Sequence, residues 1–84
     1  MKESPRLETY KYYLEDLGYL LKEYARDAKK DSAQHHGTSG NDFYIGVLFG
    51  YYRVISLMQQ QAQSFGIPLE DLRLDDIVPE RDLT

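Results

Sequence analysis

Eighty-four residues without a cysteine make room for one small domain and exclude a disulfide framework or a thiolate metal site. The formal net charge of -4 lies wholly in the last stretch: up to Gly66 eight basic side chains balance eight acidic ones, and from Ile67 onward six acids face only Arg73 and Arg81. That balance disfavours general nucleic-acid binding, which takes a surplus of Lys and Arg against phosphates.

The chain opens on the polar Met1-Lys2-Glu3-Ser4-Pro5, which has no secretion-signal character. Ser4 suits a helix cap, Pro5 a first helical position, and Glu3 and Glu8 the positive end of the helix dipole. Leu7, Tyr10, Leu14, Leu17, Leu21, Tyr24 and Ala28 then recur at steps of three and four. The spacing predicts a helix over about 5–30 with one apolar seam for bundle packing. Tyr13 and Leu20 widen the seam, and Gly18 and Ala25 thin the other flank. A glycine inside a helix costs roughly 1 kcal/mol against alanine, so Gly18 signals the close approach of a neighbour. Glu15, Lys22, Arg26 and Lys29 are placed outward, and the helix is expected to end at Lys29-Lys30.

Residues 31–42 read as a polar loop with two glycines, long for a connection that typically takes about 2–8 residues. Asn41 or Asp42 is the expected cap of the next helix.

The second helix, expected over about 43–65, is apolar on most sides and carries two seams. One is Tyr44, Leu48, Tyr51, Ile55, Met58, Ala62 and Phe65; the other is Phe43, Val47, Gly50, Val54 and Leu57. A helix that is apolar on most sides must be covered on most sides. The run is shorter than the roughly 20 residues a bilayer needs, and Arg53 interrupts it. The expected cover is therefore a second copy, with Phe43, Gly46, Val47, Gly50, Val54 and Leu57 at the dimer interface. In an antiparallel hairpin with facing numbers adding to about 72, Tyr24 lies opposite the gap between Gly46 and Gly50. The two glycines then serve either a helix contact across the dimer axis or a socket for an aromatic of the same chain.

Phe65-Gly66-Ile67-Pro68 is a helix stop. The acidic arm, 67–84, offers one short turn at 68–72. Ile67, Leu69, Leu72 and Leu74 are expected to pin it near the bundle end, with fraying from Pro79 on.

Three constellations remain. Arg53, inside the apolar run, calls for a structural ion pair with Glu15, Asp16 or Glu23, with an anion site as the alternative. Lys22, Arg26, Lys29 and Lys30 form a basic patch, doubled in a dimer, that suits an anion or the acidic arm of the second copy. His35-His36 with Asp31 and Asp42 is the only set resembling metal ligands, and adjacent histidines lack the spacing that sets two imidazoles on one helix face. The eight tyrosines suit places where one end of the ring is dry and the other wet, which are subunit boundaries or, equally, the boundary packing of a thin bundle. No nucleophile elbow or phosphate loop is present in the sequence.

The expectation is an all-α, single helical domain over 1–84: a long antiparallel two-helix hairpin with a short C-terminal arm, forming a four-helix bundle as a homodimer. It is expected to be cytoplasmic, off the membrane, without cofactor or metal, and not an enzyme. Its expected work is protein–protein interaction through the arm, the tyrosine-rich faces or the loop. The alternatives are a small regulator binding nucleic acid or another polyanion through the doubled patch, and a metal protein or enzyme built on the His35-His36 loop.

Overall fold

A computed structural model describes residues 5–84. The expected cap at Ser4 and the dipole contact of Glu3 lie outside the described residues. Helix α1 spans Pro5–Gln34 and helix α2 spans Asn41–Ser64; a 3-10 turn follows at Leu69–Leu72, then a single-turn helix α3 at Pro79–Asp82. The two long helices pack against each other, and no strand occurs among the described residues.

Helix α1 runs one turn past Lys29-Lys30, because Asp31 to Gln34 continue the helix and the left-handed Gly37 (φ +80°) then ends the path. The connection shrinks to residues 35–40 and is tied internally. The amide and hydroxyl of Thr38 both donate to the His35 carbonyl, and the Asn41 amide donates to that of Thr38. Gly40, not Asn41 or Asp42, caps α2, and no side chain closes that cap. The shorter loop moves the register: facing residue numbers add to about 75, as with Tyr24 and Tyr51 or Ala28 and Val47 around one groove. Tyr24 is therefore level with Tyr51 rather than with the gap between the glycines.

The stop after α2 forms as its residues imply. Gly66 takes φ +70°, its amide donates to Gln63, and the Ile67 amide donates to the Ala62 carbonyl at 2.7 Å. This is the double bond pattern of a Schellman turn.

The core sits in one groove of the hairpin, under the arm. Its buried apolar residues are Ala25 and Ala28 from α1, Leu48, Ile55 and Ala62 from α2, and Leu72, Leu74, Ile77 and Leu83 from the arm. The arm is thus the third layer of the domain rather than a pin at the bundle end. It does not fray from Pro79: that ring is buried and Leu83 is almost wholly covered.

The α1 seam is displaced as well. Of its expected members only Ala28 is buried; Leu17 and Leu21 are half-buried, and Leu7, Tyr10, Leu14 and Tyr24 are exposed. The buried line of α1 runs instead through Gly18, Lys22, Ala25 and Ala28. A backbone can approach a helix closely only over small side chains, and the long stem of a lysine can pack there while its ammonium reaches out.

Candidate functional site

The hairpin has two grooves. The arm fills one, and that contact absorbs most of the predicted basic patch. Lys22, 6% exposed, donates to Asp76 at 2.8 Å. Arg26 lies 3.5 Å from the same carboxylate and also donates to the Asp76 carbonyl. Lys29 donates to the Thr84 main-chain oxygen. Lys30 stays exposed. One acid of the arm, Asp76, meets Lys22 and Arg26 within one chain, so no second copy is required for that pairing. Gln59 completes the latch from α2 by donating to the carbonyls of Leu74 and Ile77, at 3.1 and 2.9 Å.

Two arm carboxyls are perturbed. The Lys22 hydrogen bond holds Asp76 below the usual carboxylate range, although burial opposes it. Asp82 is lowered to about 2 by its hydrogen bond from Arg81, with the Val78 amide adding to it.

The expected Arg53 pairs do not form within the chain. Glu15 pairs with Arg73 at 2.8 Å and Glu23 with Arg26 at 3.4 Å. Arg53 and Asp16 are exposed and make no ion pair among the described residues. The reason is angular: at about 100° per residue, Arg53 and Glu23 both lie far round their helices from the core lines through Ile55 and Ala25. They share a height but stand on opposite outer rims of the hairpin.

His35 and His36 do not meet. The His35 ring stacks on Tyr44 with centroids 3.8 Å apart, and its Nδ1–H donates to the Asp31 carbonyl; His36 is exposed. No group of three metal-ligating side chains occurs among the described residues. No helix among them is long and apolar enough to cross a membrane.

The second groove is open. Tyr24, Asp27, Ala28, Asp31, Val47 and Tyr51 line it, and no arm residue enters it. Every member of the second α2 seam is uncovered: Phe43 is 61% exposed and Leu57 57%, with Val47, Gly50 and Val54 also exposed. A Cβ added at Gly46 or Gly50 would meet nothing within 4 Å, so neither is a socket for an aromatic of the same chain. On α1 the stripe on this side is Tyr10, Tyr13, Leu17, Leu20 and Tyr24, all exposed except the half-buried Leu17. Large apolar and aromatic side chains exposed side by side along both helices, rather than scattered singly, mark an interaction face.

Sequence reasoning found the α2 half of this face and missed the structural role of the patch opposite it. The available signal was Gly18 and Ala25 seven residues apart, flanked by Lys22 and Lys29. No family model matches the chain, and no curated protein or solved structure matches it either.

Proposed function

We propose that the chain is a non-catalytic helical protein that acts through protein–protein association, and that its first partner is a second copy of itself. Two hairpins meet through their open faces and complete a four-helix bundle, with each arm on the outside. The observation that carries this reading is the Phe43–Val47–Gly50–Val54–Leu57 seam, which the chain's own third layer leaves bare. The open space at Gly46 and Gly50 supports it further, because a role for either glycine within the chain has no neighbour to act on.

The polyanion alternative loses its footing on the patch, since Lys22, Arg26 and Lys29 are occupied by the arm. The arm is also a poor candidate for a free docking tail, because four of its side chains are core.

Gly50→Leu tests the reading. The substitution should raise the dissociation constant of the dimer at least tenfold in sedimentation equilibrium. Helical content measured under dilute, monomeric conditions should stay unchanged, because nothing of the same chain lies near Gly50. Unaltered self-association would remove this face from the interface.

A further inference from the structure

We infer that the second copy sits crosswise, with α1 of each chain along α2 of the other, about a twofold axis parallel to the hairpin. This rests on the self-association proposed above and adds its geometry.

Between Asp42 and the end of α2, Arg53 is the only charged side chain. It stands on the outer rim beside the open face, exposed and without an ion pair among the described residues. The corresponding rim of α1 is mainly acidic, with Glu23 and Asp27 at its centre and Asp16 and Asp31 toward its ends, against one exposed cation, Lys30, two turns from Glu23. Among the described residues, Glu23 meets only Arg26, at 3.4 Å through one oxygen. Packing like helix on like helix would face the acids of α1 with the same acids and leave Arg53 without a counter-charge. The crosswise arrangement faces the acidic rim with the cation.

Register agrees without adjustment. A pure twofold parallel to the hairpin moves no residue along it, so each pair across the interface stays level. Facing numbers then add to about 75 between copies, as they do within one. Glu23 of one copy comes level with Arg53 of the other, and Asp27 lies about one turn away. Tyr24, whose ring is exposed on the stripe, comes level with Gly50 of the other copy, where a Cβ would meet nothing. A bulky ring over a bare backbone is the complementarity a small residue permits. The same symmetry repeats each contact, so both rims are paired.

The chain has no cysteine, which allows a direct test. Chains carrying Glu23→Cys and chains carrying Arg53→Cys are mixed and treated with a bismaleimide that spans roughly the 8–10 Å between packed helix axes. Crosswise packing gives a covalent heterodimer from the mixture and no cross-link from either variant alone. Cross-linking of either variant with itself, or a stable dimer that yields no heterodimer, overturns the arrangement while leaving self-association intact. A monomer at every concentration in light scattering overturns self-association itself. As an independent readout, Arg53→Glu should weaken the dimer about tenfold. Adding Glu23→Arg to the same chain should restore most of that loss, and failure to restore it argues against the pairing.

Discussion

A Cβ placed on Gly18 would run into the carbonyl oxygen of Leu72 and lie 2.9 Å from its carbonyl carbon. The backbone of the 3-10 turn therefore rests directly on bare helix, and this contact sets where the arm enters the groove. Gly18→Ala would normally gain roughly 1 kcal/mol of helix propensity. Here the obstacle is main chain and cannot rotate away, so a net loss of about 1–3 kcal/mol is expected in urea denaturation. Gly46→Ala, measured with Gly18→Ala under dilute, monomeric conditions, is the control, with nothing of the same chain around it and an expected gain of about 0.5–1 kcal/mol. Equal effects at the two sites would contradict the docked arm.

Lys22 and Asp76 form an unequal pair, one stem buried and the other carboxylate about half exposed. Asp76→Ala leaves an ammonium under the arm without its partner and should cost about 1–3 kcal/mol. Lys22→Met keeps the packed stem and removes the charge, and should fall within about 1 kcal/mol of the parent. Chemical denaturation of both variants checks the ordering, and a larger loss for Lys22→Met would contradict it.

Acid should loosen the arm before it melts the hairpin. Asp76 and Asp82 both have folded-state values below the ordinary 3.8. Carboxyls so depressed contribute stability that is fully present above the ordinary value and is lost as pH falls through the folded value. The window runs downward from about 4, reaching about 2 for Asp82. Amide resonances of Leu74, Ile77 and Leu83 should shift or broaden over that range, ahead of those of α2. Resonances that hold to pH 2 would contradict this assignment of the latch.

Gln59 donates one side-chain amide to two arm carbonyls. Gln59→Leu strands both acceptors beside the core and should cost about 1–3 kcal/mol. Hydrogen exchange should report the loss first in the arm. Uniform loss of protection across α1 and α2 would show instead that the arm does not open separately.

The two seams of α2 were legible because large apolar side chains recur there at regular helical steps. Leu48, Ile55 and Ala62 are buried on one, and Phe43, Val47 and Leu57 are bare on the other. The buried line of α1 was not legible by the same means. It passes through glycine, alanine and a lysine stem, which carry little hydropathy, while the heavier Tyr10, Leu14 and Tyr24 drew the reading to a face the arm does not cover. The arm itself has no period to read. Leu72, Leu74, Ile77 and Leu83 are spaced by an irregular backbone and set among acids, yet all four are core. The Arg53 pairing failed within the chain because height along a hairpin can be counted from sequence, whereas rim against groove depends on where the third layer lies.

The most direct test of the account is the molar mass of the full chain, by light scattering across low micromolar concentrations. A two-hairpin particle of about twice 9.8 kDa is the expected result. A well-folded particle that stays at 9.8 kDa throughout would contradict the claim that the open face belongs to a second copy.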